Sequence, residues 1–233
     1  MKRACLFLAA LWFSVLTAVT GAQNAKPEPQ NLEAAEDGNA LARRAEEKIR
    51  AAKTIAFRAR QSYSLEGLSV RAEEGDVAFR RPNRIRWAYR GPEKKLFVSN
   101  GKRTFFHLPS ERVVYTAPLK EALRASPLLS FLVRDRSLVS AYDFETLERS
   151  EDDGWQLRAR PRKREEALIP FLVSLSPSHD LLKIAYLDGA DGLMEIFLSD
   201  MRYDVPLDEA LFGFEVPPDA EVMEGMRFGI EEP

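Results

Sequence analysis

The seven residues from Arg84 to Arg90, RIRWAYR, leave this chain little choice of local structure. In extended backbone successive side chains point to opposite faces, so Ile85, Trp87 and Tyr89 fall on one side while Arg84, Arg86 and Arg90 fall on the other. The result is a strand with one apolar and one cationic face. Just upstream, Pro82 has no N–H to give to a ladder and holds Arg81 in extended geometry, which ends the preceding strand. Downstream, Asn100-Gly101 supplies the positive backbone angles of a tight hairpin, so Leu96 to Asn100 and Lys102 to Leu108 are expected to pair antiparallel.

The same period continues on both sides. Ile55, Phe57, Ala59, Tyr63 and Leu65 alternate with polar neighbours in a long half-buried strand that breaks at Gly67, and Leu68 to Arg81 follows as its partner. Further strands are expected at Arg112 to Thr116, Ala141 to Ser150, Gly154 to Pro161, Leu168 to Ser176, Leu181 to Leu187 and Leu193 to Tyr203, with a last edge strand at Phe212 to Pro217. Turn chemistry at Asp152-Asp153-Gly154 and Asp188 to Gly192 separates them. Strands this closely spaced cannot make parallel crossovers, which predicts an antiparallel meander.

Helical spacing appears in two places. Ala40, Leu41, Ala45, Ile49 and Ala52 predict a helix from an Asn39 N-cap to about Lys53. Pro118 to Asp135 predicts one helix, or two joined at Ser126-Pro127, because proline is tolerated only in a first helical turn. This second segment carries Leu128, Phe131 and Leu132 and is strongly apolar for a connection. It needs a hydrophobic surface to cover, and the sheet offers one. The expected fold is mainly β (α+β): an unclosed antiparallel β half-barrel of about 10–11 strands with a helical lid.

The first residues bear on compartment. Lys2-Arg3 precedes an uncharged apolar run from Ala4 to Val19, and Thr20-Gly21-Ala22 places small residues where a signal peptidase cuts. Residues 1–22 are therefore read as a signal peptide cleaved after Ala22, which places the mature chain in the periplasm. The only cysteine, Cys5, is removed with it, leaving no thiol for disulfides, thiolate catalysis or cysteine-held metals. Residues 23–38, rich in Pro, Asn, Gln and acid, read as a flexible leader, and residues 223–233 as a C-terminal tail. Loss of Lys2 and Arg3 lowers the basic side chains from 34 to 32 against 36 acidic ones, a balance that gives nucleic acid no basic surface.

Few residues of this chain offer chemistry. His107 and His179 are the only histidines, and neither has the partners of a zinc site. No G-x-S-x-G elbow is present, the pairs Glu73-Glu74, Asp152-Asp153 and Glu165-Glu166 read as solvated turns, and Asp188 to Gly192 lacks a calcium ligand ladder. Neither an enzyme nor a cofactor or metal protein is expected. What remains is apolar surface: Phe57, Phe79, Ile85, Trp87 and Phe105 from the sheet, with Leu128, Phe131 and Leu132 from the helical segment, are the candidate lining of a ligand cavity.

Arg80-Arg81-Pro82-Asn83, then Ile85-Arg86-Trp87, Phe97-Val98-Ser99-Asn100-Gly101-Lys102 and Phe105-Phe106, resemble in order and spacing the signature of the periplasmic outer-membrane lipoprotein carrier family, LolA. Asp208, Phe212, Phe214, Pro217 and Pro218 are similar to the family's closing segment, and the resemblance covers residues 39–222. It implies a non-enzymatic chaperone that holds lipoprotein acyl chains in a cavity and carries them from the inner to the outer membrane. The implied partners are lipoproteins, an inner-membrane lipoprotein-releasing transporter and an outer-membrane acceptor lipoprotein of the LolB kind, served by a monomer. It further implies that Arg81 clamps the lid through lid-helix carbonyls when no cargo is bound. A periplasmic lipid or glycolipid carrier and an RseB-like envelope sensor are alternatives on the same fold.

Overall fold

The computed structural model describes residues 36–91, 93–133, 137–149, 154–163, 168–188 and 191–225. The signal-peptide reading and most of the leader reading lie outside these residues.

The first helix, α1, is Gly38–Ala51. Its N-cap is Asp37, whose Oδ1 accepts from the Asn39 amide at 3.0 Å, rather than the expected Asn39. Asn39 is used elsewhere: its Oδ1 accepts the backbone N–H of Phe144 at 3.1 Å and ties the helix start to the sheet. Gly38 permits this approach, since a Cβ there would lie 2.5 Å from the Phe144 carbonyl oxygen. Leu41, Ala42, Ala45 and Ile49 form the buried stripe.

Six strands follow: β1 (Thr54–Leu65), β2 (Leu68–Arg80), β3 (Arg84–Tyr89), β4 (Leu96–Asn100), β5 (Arg103–Leu108) and β6 (Val113–Pro118). The helical segment is a pair, α2 (Leu119–Ala125) and α3 (Pro127–Val133), with Pro127 opening the second as proline chemistry requires. Then come β7 (Tyr142–Arg149), β8 (Trp155–Pro161), β9 (Phe171–Leu175), β10 (Leu181–Leu187), β11 (Leu193–Tyr203) and β12 (Glu221–Glu224).

Among the described residues these strands make one unclosed sheet of 12, one or two more than expected, in the order β12-β6-β5-β4-β3-β2-β1-β11-β10-β9-β8-β7. Neighbours run antiparallel, as the short connections demand, except that β12 lies parallel on β6 with Glu221 opposite Val113 and Glu224 opposite Thr116. The expected edge strand at Phe212 to Pro217 is absent. Asp208 caps a 3-10 turn at Glu209–Phe212, its Oδ1 accepting from Ala210 N at 2.9 Å, and Phe214 stacks on Phe105 with ring centroids 5.2 Å apart. The reason is the cationic face of β2 and β3. Arg80 donates to the Leu207 carbonyl (3.1 Å), Arg84 pairs with Glu209 (2.7 Å) and Arg86 donates to the Leu211 carbonyl (3.3 Å), so the segment is strapped across that face.

The opposite face of the sheet carries the core. Leu41 and Ile49 of α1 and Leu128, Phe131 and Leu132 of α3 share one buried cluster with Ile55, Phe57, Phe79, Ile85, Phe97, Phe144, Phe171 and Ile184. Each such side chain removed from water contributes about 1.5–3 kcal/mol, which holds the helices on this face of the sheet.

Candidate functional site

Where α2 meets α3, Ser126 and Leu129 stand over a cavity of about 280 Å³ in the same face of the sheet. Its floor comes from Tyr63 of β1, Trp87 and Tyr89 of β3, Phe97 of β4, Phe106 and Leu108 of β5, Tyr115 of β6, Tyr186 of β10, and Met194 and Ile196 of β11. Trp87 and Tyr89 stack at 5.2 Å, and Phe106 meets Tyr89 edge-on at 6.4 Å. Gly75 of β2 makes room for this arrangement, because a Cβ there would lie 2.7 Å from the Trp87 Nε1. The Tyr89 hydroxyl donates to Gln61 Oε1 at 3.3 Å, and burial pushes its pKa far above the ordinary phenol value. Burial likewise pushes Tyr186 up to about 12, so both hydroxyls stay neutral donors at physiological pH.

One wall is ionic. Lys95 Nζ stands 3.2 Å from both Glu73 Oε1 and Glu93 Oε2, and Arg71 Nη2 approaches the same two oxygens at 2.9 and 3.3 Å. The Lys95 side chain is only 8% exposed, whereas that of Glu93 is 46% exposed. Burial raises the Glu73 pKa above the usual carboxylate value, opposed by the charge of Arg71 and reinforced by that of Glu93.

Arg81 sits at the other end of β2. Its Nε donates to the Ala52 carbonyl at 3.0 Å and its Nη2 to the Ile49 carbonyl at 2.9 Å, two acceptors at the C-terminal end of α1 that the helix itself leaves unpaired. Bonds to helix carbonyls are thus present, and among the described residues they go to the end of α1. Other anchors hold α1 as well. Lys48 pairs with Asp180 (2.7 Å), and the buried Glu46 accepts from Ser137 Oγ (2.6 Å) and Leu138 N (2.9 Å).

The residues singled out in the sequence divide three ways. Trp87 lines the cavity. Phe57, Phe79, Ile85, Leu128, Phe131 and Leu132 are buried in the cluster between helices and sheet, beside the cavity rather than on its wall. Phe105 is a correction: it points to the outer face, against Phe214, and its neighbour Phe106 faces inward. The register explains this, since Ser99 pairs with Thr104 across a four-residue turn and sets Phe97, on the Trp87 face, opposite Phe106. That turn length was the available signal. Leu129 and Met194 had none, because only the pairing of distant strands brings them together. His107 tilts against Phe214 at 5.9 Å on the outer face, and His179 stacks on Trp155 at 5.0 Å. Among the described residues no group of three His, Cys, Asp or Glu side chains is placed to hold a metal ion.

The family model described as "Outer membrane lipoprotein carrier protein LolA" matches residues 51–215, from the last turn of α1 through the outer-face strap. The chain belongs to the LolA family. A relative from Methylibium petroleiphilum, named outer-membrane lipoprotein carrier protein, is 30% identical over 161 residues, covering 69% of this chain and 77% of its own length. One of the same name from Bordetella avium is 28% identical over 160 residues, covering 68% and 74%. Among solved structures, an uncharacterized conserved protein from Thermus thermophilus superposes with a TM-score of 0.51 at 13% identity, over 80% of this chain and 98% of its own. At that identity the likeness is one of fold, and it agrees with the LolA-type unclosed sheet described above.

Proposed function

We propose that this LolA-family protein is a non-enzymatic periplasmic carrier that shields the acyl chains of lipoproteins on their way from the inner to the outer membrane. The observation that carries the reading is the cavity under the α2–α3 junction, walled largely by aromatic and aliphatic side chains in a chain of this family. Each methylene kept from water is worth about 0.8 kcal/mol, so an acylated protein cannot cross an aqueous compartment unaided. A carrier must also let go. Covering the cavity by two short helices, while polar contacts pin α1, puts the cost of opening into the closed state and leaves ligand burial to offset it. In this reading Arg81 supports the closed state through α1, and the chain works as a monomer between an inner-membrane releasing transporter and an outer-membrane acceptor lipoprotein.

The test is capture in the native envelope: cross-linking, purification and mass spectrometry of what stays bound. Triacylated lipoproteins are expected. Leu129→Trp, which fills the cavity from its helical side, is expected to abolish that capture while leaving the melting temperature within a few degrees of the parent. Undiminished capture by the Leu129→Trp protein would remove the cavity from the mechanism.

A further inference from the structure

An acyl-chain site has no use for ions, yet one wall of this cavity holds Arg71, Glu73, Glu93 and Lys95 in a closed quartet. Each cation touches both carboxylates, and the Lys95 ammonium is almost wholly enclosed. Enclosing the Lys95 ammonium and most of Glu73 is costly, and well-packed apolar residues in such a place are commonly as stable or more so. A second observation lies in the same cavity. The indole Nε1 of Trp87 is buried and has no hydrogen-bond partner among the described residues, a cost that an incoming acceptor would remove.

We propose that this wall is a receptor for a zwitterionic headgroup, and that the cavity takes a single acyl chain bearing an anionic phosphate oxygen group and an ammonium, the chemistry of a lysophosphatidylethanolamine. The proposal rests on the acyl-chain reading of the cavity and adds a ligand class to it. Charge must balance in a site of low dielectric. A purely anionic head drawn to Lys95 and Arg71 strands a carboxylate, and a purely cationic head strands an ammonium or guanidinium; either leaves an uncompensated buried charge. A head with both signs inserts by exchange. Its phosphate oxygens take the Lys95 and Arg71 donors and the Trp87 N–H, which has no partner among the described residues, and its ammonium takes Glu93. Glu93 is the carboxylate placed to yield, since nearly half of its side chain already faces solvent. The volume of about 280 Å³ lies at the small end of ligand sites and, with α2 and α3 closed over it, seats one chain; a triacylated lipoprotein needs those helices displaced.

The test is parallel titration of the purified full chain, below micelle concentrations, with three palmitoyl probes: lysophosphatidylethanolamine, monoacylglycerol and lysophosphatidate. Native mass spectrometry reads the bound fraction. Lysophosphatidylethanolamine is expected to bind at least about tenfold tighter than either of the others, the size of one charge-assisted hydrogen bond. Lys95→Gln is expected to bring that ratio to near one. Should the single substitution unfold the chain by orphaning Glu73, the neutral pair Glu73→Gln/Lys95→Gln reads the same ratio in a wall without the buried charge. Trp87→Phe is expected to lower the ratio in part. Equal affinity for all three probes, first place for lysophosphatidate, or a preference that survives the loss of Lys95 overturns the headgroup site and leaves the cavity as an acyl-chain site. No binding of any probe overturns both.

Discussion

Replacing Arg81 by leucine removes two guanidinium bonds, at 3.0 and 2.9 Å, from the carbonyls that end α1. A hydrogen bond from a charged donor is worth about 1.5–3 kcal/mol net, and a cation at a helix C-terminus a further fraction of a kcal/mol. The site is only part-buried, so the low end applies and about 2–3 kcal/mol is the loss for the pair. The chain still folds, because the apolar cluster is untouched. If those two bonds exist only in the closed state, their loss shifts the opening equilibrium by roughly 30–100-fold, at 1.4 kcal/mol per factor of ten. Cargo that binds the open state gains the same factor. The assay is transfer of a fluorescent acylated lipopeptide from protein to acceptor vesicles: Arg81→Leu is expected to load normally and release at least tenfold more slowly, with Arg81→Lys in between because an ammonium cannot span both carbonyls as a fork. A release rate within threefold of the parent would refute the clamp, whatever happened to stability.

Ile85→Glu puts a carboxyl at a fully enclosed core position beside the cavity, so it is expected to cost about 3 kcal/mol or more of folding stability in a urea titration, with impaired loading only as a consequence; a stable variant with a selective loading defect would place Ile85 on the cavity wall after all. Gly75→Val drives a side chain into the Trp87 ring and the Ala88 carbonyl, and a loss of about 1–3 kcal/mol together with altered tryptophan emission is expected, whereas an unchanged protein would mean that Trp87 repacks freely. Burial alone would raise the Asp180 pKa, but hydrogen bonds from Lys48, Tyr203 and Ser178 hold it below its ordinary value. A carboxyl with a depressed folded-state pKa contributes stability that is complete above its unfolded value, about 3.9, and lost as the pH falls through the folded one. The stability gap between the parent and Asp180→Asn should therefore be widest near neutrality and close below about pH 4, and a gap independent of pH would count against this role.

Local chemistry made most of the fold legible. The alternation in β1 and β3, Asn100-Gly101, Gly67 and the Ser126-Pro127 break each act through the backbone of a few neighbouring residues, and the structure bears those elements out to within a residue or two. The strand count and the last strand were harder. A short run of apolar alternation at Phe212 to Pro217 looks like a strand by itself, but three arginines on the outer face of β2 and β3 bind the residues just before it, Leu207, Glu209 and Leu211, and carry the chain across that face instead of along a sheet edge. The lining was legible only in part for the same reason. Which of Phe105 and Phe106 faces inward depends on one residue of register, and no single strand contains that information.

By itself the sequence determined the strand periods, the turns, the proline-bounded helix pair and, through the residues around Arg81-Pro82-Asn83, the family. Tertiary structure alone decided that Lys95 and Arg71 share two carboxylates, that the Trp87 N–H in the same cavity has no partner among the described residues, and that Arg81 reaches the end of α1. Periodicity is a property of neighbours along the chain, whereas a cavity and its charges belong to residues that only sheet pairing and helix docking bring within a few ångströms of one another.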